Sequence, residues 1–105
     1  MSAHDVGPLH EFVDGAACAR RVAGRELAII RIGDDLYVLD DRCSHEDFPL
    51  SLGEVNVETC EIECERHGAM FNLKDGAPTS FPATRPVATY DVTVRDGRVF
   101  VEMPV

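Results

Sequence analysis

Four side chains of types that commonly bind metals occur in this sequence as two pairs. Cys43 and His45 lie two positions apart in CSH, and Cys64 and His67 lie three positions apart in CERH. Two cysteines and two histidines suit a single tetrahedral zinc ion. They also suit a 2Fe–2S cluster in which the cysteines hold one iron and the histidines hold the other. Each pair contains one residue of each type, which favours two loops that straddle a cluster, although a zinc ion stays possible on spacing alone.

The segment that contains both pairs, about residues 41–81, has few apolar side chains, and Gly, Pro, Asp and Asn are scattered through it. Within it, a strand over residues 60–65 would place Cys60, Ile62 and Cys64 on an inward face and three glutamates on the outward face. We expect such a segment to bury little hydrocarbon. Bonds from its ligands to a metal would then supply much of its order.

Short strands separated by turn signals flank this segment on both sides and would position it. Asp96-Gly97 is a strong signal for a two-residue hairpin turn near the C-terminus. No part of the chain has a convincing helical period. The sequence therefore predicts an all-β fold, a sandwich or barrel, as one domain over residues 1–105. The predicted strands cover residues 17–22, 26–32, 36–40, 87–94 and 98–103.

The charge is strongly negative and unevenly distributed. The formal net charge is −9, and no Lys or Arg occurs between Arg42 and Arg66. This balance argues against nucleic acid as a partner and against anionic membrane surfaces. It favours a partner with a basic face, which would dock on the acidic stretch from Glu46 to Glu65. The alternative is that this stretch is a solvated face that keeps a small protein soluble. The acidic residues of this stretch are Glu46, Asp47, Glu54, Glu58, Glu61, Glu63 and Glu65.

The predicted compartment is the cytoplasm. The N-terminal residues lack the pattern of a secretory signal, and no run of residues is long and apolar enough to cross a membrane. Thiols stay reduced in the cytoplasm. The four cysteines, Cys18, Cys43, Cys60 and Cys64, are therefore not expected to form two disulfides.

The two pairs and their flanks resemble a known family. The combination CSH…CERHG is similar to the Rieske cluster motif, C-x-H followed by C-x-x-H. The stretches LSLGEV (50–55), FNLKDGAP (71–78) and FPATRPVATYDV (81–92) resemble those of small bacterial Rieske-type ferredoxins. The resemblance covers about residues 8–103.

The resemblance implies a two-part Rieske fold. An antiparallel β-sandwich base would come from about residues 8–41 and 82–103. A small cluster-binding subdomain would come from about residues 42–81. PATRP, with Pro82 and Pro86, resembles the proline loop that covers the cluster in this family. One 2Fe–2S cluster per chain is implied, with the ligands Cys43, His45, Cys64 and His67.

The flanks also indicate which branch of the family the chain resembles. Members of the high-potential branch have a disulfide between the two cluster loops, whereas the matching positions here are Phe48 and Arg66. They also place Ser and Tyr hydroxyls after the second histidine, where this chain has Ala69 and Phe71. Hydrogen bonds to cluster sulfur raise the potential, so their absence predicts a low potential. Cys18 and Cys60 are interpreted as structural free thiols, with Cys60 facing inward beside Ile62.

The implied function is that of a soluble carrier of single electrons and not of an enzyme. It would pass electrons from a flavin-dependent reductase to a terminal oxygenase, such as an aromatic-ring dioxygenase, and it is expected to be a monomer. Similar small Rieske proteins serve as small subunits of nitrite reductases or accompany iron–sulfur assembly machinery, and both remain alternatives. An alternative of another class is a zinc-stabilised binding module without a redox role.

Overall fold

A computed structural model describes residues 2–42, 48–65, 68–79 and 85–103. These residues form antiparallel β-strands and two short 3₁₀ helices, Leu9–Glu11 and Leu50–Leu52, which confirms the all-β class. None of the helices in this part of the chain could span a membrane. The strands are β1 (Ser2–Pro8), β2 (Ala16–Val22), β3 (Arg25–Ile32), β4 (Asp35–Asp40), β5 (Val55–Asn56), β6 (Glu61–Glu63), β7 (Met70–Asn72), β8 (Thr89–Tyr90), β9 (Val92–Arg95) and β10 (Arg98–Met103).

The strands form three sheets. The orders are β1-β10-β9, β2-β3-β4-β8 and β5-β6-β7. The predicted hairpin turn is present, since Arg95 pairs with Arg98 and both residues between them, Asp96 and Gly97, have positive φ. Positive φ at both central positions is the geometry of a type I′ turn, whose twist matches that of the flanking strands.

Two details of the strand prediction are wrong. Strand β1 was not predicted, yet it pairs along its length with β10, with Ser2 opposite Met103. The predicted continuous strand over residues 87–94 is divided at Asp91, because β8 joins β4 in one sheet and β9 joins β10 in another. Alternation of side chains is the same on either side of such a crossing, so the pattern does not reveal it.

Strand β3 separates two hydrophobic cores. Leu27 and Ile29 point into one of them, and Ala28 and Ile30 point into the other, as the two-residue period of a strand requires. All four side chains are fully buried. We name the core on the side of the β5-β6-β7 sheet the ligand-side core, and the core on the side of the β1-β10-β9 sheet the far core. The ligand-side core includes Ala28, Ile30, Leu39, Leu50, Ile62, Cys64, Ala69, Phe71, Leu73 and Val87, and the far core includes Phe12, Val22, Leu27, Ile29, Leu36, Val38, Val99, Val101 and Met103.

The expectation that the middle of the chain buries little hydrocarbon is wrong. Most of its few apolar residues point the same way, and strands β3 and β4 supply the opposite wall of their core, whereas Leu52 and Val57 are exposed. The segment therefore has a core without counting any metal bond. The division into two subdomains near residues 42 and 82 stays a prediction. The members of the middle segment that are at most 1% exposed are Leu50, Ile62, Cys64, Ala69, Phe71 and Leu73.

Candidate metal centre

Of the four predicted ligands, Cys64 lies within the described residues, whereas Cys43, His45 and His67 lie outside them. Cys64 directly follows β6 and is 1% exposed. Its burial follows from the strand alternation, which turns Ile62 and Cys64 to the ligand-side core and leaves Glu61 and Glu63 partly exposed. The predicted inward direction of Ile62 and Cys64 is confirmed.

Backbone hydrogen bonds fix Cys64 through both its amide and its carbonyl group. The Cys64 amide donates to the Ala69 carbonyl at 2.6 Å, and the Gly68 amide donates to the Cys64 carbonyl at 2.9 Å. Gly68 has φ +74°, a conformation that glycine adopts without steric cost. The chain between β6 and β7, in which Glu63 pairs with Met70, is thus closed by its own main chain. We name residues 64–69 the second ligand segment.

A close backbone approach at Gly53 supports the strand that leads to Cys64. Gly53 is extended, with φ −81°, so it needs no special dihedral angle. What it needs is space, because a Cβ at this position would lie 1.7 Å from the Glu63 carbonyl oxygen. Next to it the Glu63 amide donates to the Glu54 carbonyl at 2.9 Å. The sequence indicates a turn at Gly53 but gives no sign of this contact.

Asp41 and Ser51 hold together the ends of the segment that contains the other predicted pair. The Asp41 carboxylate accepts hydrogen bonds from the Ser51 amide, at 2.6 Å, and from the Ser51 hydroxyl, at 2.7 Å. Asp41 directly follows β4, and its own amide donates to the Glu26 carbonyl. We name residues 42–50 the first ligand segment. Sequence reasoning missed this contact, and the one available signal was an acidic residue that follows a buried strand and precedes a cysteine.

The other two cysteines have structural surroundings. Cys60 is half-buried against the ligand-side core and has φ +58°, so it precedes β6 in a turn and is not part of the strand. Its thiol forms a hydrogen bond with the Tyr37 hydroxyl, which with burial raises the pKa of Tyr37. Cys18 lies against the far core and accepts a hydrogen bond from the Arg20 guanidinium at 2.7 Å. Both thiols are free, as predicted.

Carboxylates surround the part of the chain that leads to Cys64. Glu54, Glu58 and Glu63 line a groove together with Val57 and Met70. The pKa of Glu61 lies below its ordinary value, because the Thr59 and Thr79 side chains donate hydrogen bonds to its carboxylate. Glu65 is exposed. Glu46 and Asp47, which the docking hypothesis also includes, lie outside the described residues.

The surroundings of Cys64 fit a sulfur ligand of a metal cluster. A buried thiol held by its backbone at the start of a tight reverse segment can be aimed at one point without reorganisation. The side chains of Ala69 and Phe71 are fully buried beside it and offer no hydrogen-bond donor. Phe48 stands where the high-potential branch has a disulfide-bonded cysteine, and its side chain is partly buried against the ligand-side core. Arg66 and Pro82 lie outside the described residues.

Comparison with known proteins decides the family. The family model described as the Rieske 2Fe-2S domain matches residues 2–91, most of the chain. The chain belongs to the Rieske family. This Rieske chain is 36% identical over 100 residues to the anthranilate 1,2-dioxygenase ferredoxin subunit of Burkholderia cepacia, a match that covers 95% of the chain and 91% of that relative. The predicted 2Fe–2S cofactor is thereby confirmed over a zinc ion, whereas the set of four ligands stays a prediction.

Solved structures give the same result for this Rieske chain. The ferredoxin of carbazole 1,9a-dioxygenase from Nocardioides aromaticivorans IC177 superimposes with a TM-score of 0.93 at 35% identity, covering 96% of this chain and 97% of that chain. A chain in a complex of reduced oxygenase and oxidized ferredoxin of carbazole 1,9a-dioxygenase gives a TM-score of 0.87 at 34% identity, over 94% of this chain and all of that chain. The predicted resemblance to Rieske-type ferredoxins is confirmed.

Proposed function

We propose that the protein carries single electrons from a reductase to the terminal oxygenase of a ring-hydroxylating dioxygenase. One observation supports this most strongly. Over nearly its whole length the chain is similar, in sequence and in backbone, to the ferredoxin components of dioxygenases. One such ferredoxin has been solved in a complex with its oxygenase. The oxygenase partner is therefore inferred from relatives, and a flavin-dependent reductase as the electron donor is inferred from the role.

In this proposal Cys43 and Cys64 would hold one iron, and His45 and His67 would hold the other. When bound, a Rieske cluster accepts and releases one electron, at potentials of roughly −150 to +300 mV. The chain itself keeps water from the Cys64 sulfur by burying it and withholds side-chain donors at Ala69 and Phe71. With all four ligand positions filled there is no open site for substrate, so the chain acts as a carrier and the oxygenase performs the reaction.

We infer that the partners dock on the acidic side of the protein, next to the second ligand segment. Exposed Glu54, Glu58 and Glu65 would attract a basic patch and speed encounter at low salt. We place the protein in the cytoplasm, because the free thiols of Cys18 and Cys60 suit a reducing compartment.

The decisive experiment reconstitutes electron transfer. The purified protein is expected to be coloured and to give the EPR spectrum of a reduced Rieske cluster. It should then be reduced by a flavin-dependent reductase with NADH and support turnover of an aromatic-ring dioxygenase in proportion to its concentration. A protein that carries the cluster but supports a nitrite reductase or cluster assembly instead would replace the oxygenase in this proposal. A colourless protein with one zinc per chain would overturn it.

Charge reversal tests the docking surface. Glu65→Lys should slow reduction by the reductase about tenfold at low salt, and the difference should shrink as salt screens the charges. The matched control is Asp34→Lys, which makes the same change in net charge at the exposed β3–β4 turn, the opposite end of β4 from the ligand segments. Equal slowing by both variants would mean that net charge matters and the position does not.

A further inference from the structure

Among the described residues, Asp41 is the one charged residue whose side chain is buried. It is 8% exposed, whereas charged groups are otherwise kept near the surface in these ranges. Moving a carboxylate from water into a protein interior costs on the order of several kcal/mol, unless hydrogen bonds to the carboxylate compensate. A buried carboxylate therefore indicates that specific hydrogen-bond donors compensate its loss of hydration.

The contact joins two points ten residues apart. One carboxylate oxygen of Asp41 accepts from the Ser51 amide at 2.6 Å, and the other accepts from the Ser51 hydroxyl at 2.7 Å. Bonds to an ionised acceptor are about twice as strong as neutral ones. Both carboxylate oxygens are therefore engaged by one residue, at the start of the short 3₁₀ helix that begins at Leu50.

The described main-chain bonds next to this contact belong to the end of β4. The regular pairing of β4 ends here, with the Asp40 amide donating to the Ala88 carbonyl and the Asp41 amide donating to the Glu26 carbonyl. Pro49, just before the 3₁₀ helix, has no amide hydrogen to donate. Between these points lie residues 42–50, with Cys43 two residues after Asp41.

We propose that Asp41 is a positioning residue for the cluster, which acts through Ser51. By closing the ends of the first ligand segment, the pair restricts where Cys43 and His45 can lie and so fixes two of the four ligands. This inference rests on the proposed function, because it needs the cluster and its predicted ligands. Partners that orient metal ligands without touching the metal typically change metal affinity 10–100-fold when they are removed.

The test uses the protein with its cluster bound and four variants. Ser51→Ala removes the hydroxyl and leaves the charge, Ser51→Thr keeps a hydroxyl, and Asp41→Asn removes the charge and one acceptor. The matched control is Asp40→Asn, which makes the same change one residue earlier, where the carboxylate accepts from the Tyr90 hydroxyl at 2.6 Å instead. The readouts are the rate of iron release to a chelator in native buffer, the EPR g-values of the reduced cluster, and the free energy of global unfolding.

We expect Asp41→Asn and Ser51→Ala to release iron about tenfold faster or more and to shift the g-values. Ser51→Thr and Asp40→Asn should stay near the wild type in both. Loss of global stability without any change in g-values would mean a purely structural role and would overturn the inference, as would equal effects of Asp40→Asn and Asp41→Asn. If Asp41→Asn does not fold, Ser51→Ala against Ser51→Thr decides. A wild-type protein without a 2Fe–2S cluster would instead overturn the proposed function, and this inference with it.

Discussion

The contacts that the described residues make around the two ligand segments are of different kinds. The second, residues 64–69, is closed by its own backbone, through the bonds from Cys64 to Ala69 and from Gly68 to Cys64. The first, residues 42–50, is tied at its ends by the Asp41 carboxylate and Ser51. A backbone closure tolerates most side-chain changes but no change of chain geometry. A side-chain closure has the opposite sensitivity, so the two halves of the predicted centre are expected to fail under different mutations.

The largest effect is expected just outside the two segments, where Gly53 packs against the strand that leads to Cys64. Gly53→Ala would place a Cβ 1.7 Å from the Glu63 carbonyl oxygen, and only movement of the main chain before Cys64 could relieve that clash. We expect the free energy of unfolding to fall by about 3 kcal/mol or more, measured with urea, together with loss of cluster content. Gly24→Ala is the matched control, since its Cβ would meet nothing within 4 Å and the φ of +81° costs about 1–2 kcal/mol. Equal losses in both variants would contradict the close-approach argument.

A smaller effect is expected from hydroxyls added at the end of the second ligand segment and two residues after it. Ala69→Ser and Phe71→Tyr would supply the two donors that the high-potential branch places there. The wild-type midpoint should lie at the low end of the Rieske range, below about +100 mV, and each variant should raise it. Voltammetry of the wild type and the two variants makes the comparison. A wild-type midpoint above that value would contradict the argument from missing donors.

The added hydroxyls also have a stability cost that separates the two positions. Phe71 is fully buried, so a tyrosine hydroxyl without a partner there would lower the free energy of unfolding by about 1–3 kcal/mol. A variant that raises the potential with little loss of stability would indicate that the hydroxyl has found an acceptor. Phe71→Leu serves as the control, because it changes packing without adding a donor.

The smallest effect is expected far from both segments, at the exposed pair Asp5–Arg98 that joins β1 to β10. The pKa of Asp5 lies below its ordinary value, mainly because Arg98 Nε donates to its carboxylate at 2.6 Å and also because the Gly7 amide donates to it. A depressed folded pKa means that the contribution to stability is present above the unfolded value of about 3.9. It is lost as the pH falls through the folded pKa.

Asp5→Asn should therefore lower stability slightly at neutral pH, and the difference from the wild type should vanish in acid and shrink in high salt. Urea unfolding at several pH values measures this. The cluster spectrum of the variant should match that of the wild type at every pH where both proteins are folded. A changed spectrum would mean that the far core and the ligand segments are coupled, which would break the contrast between local and remote positions.

The parts that the sequence predicts well are those in which a local pattern decides. Short runs of strand-forming residues between turn signals predict strands β2, β3, β4 and β10, and Asp96-Gly97 predicts its turn, because two adjacent φ values determine it. Strand β1 was missed because its partner lies about a hundred residues away. The contact of Asp41 with Ser51 was missed for another reason: only ten residues separate the two, but the contact depends on how the chain returns after β4. The apolar residues of the middle segment were underestimated because their opposite wall belongs to β3 and β4.

The pairing of Ser2 with Met103 also has a consequence for the order of folding. The β2-β3-β4 meander and the β9-β10 hairpin join neighbours in sequence, whereas β1 must wait until nearly the whole chain has been made and its ends have met. Closing so long a loop is entropically slow, and contacts of high sequence separation delay folding. We expect the far core to be completed last, after the ligand-side core. Pulse-labelled hydrogen exchange during refolding should then show the amides of β1 becoming protected later than those of β3.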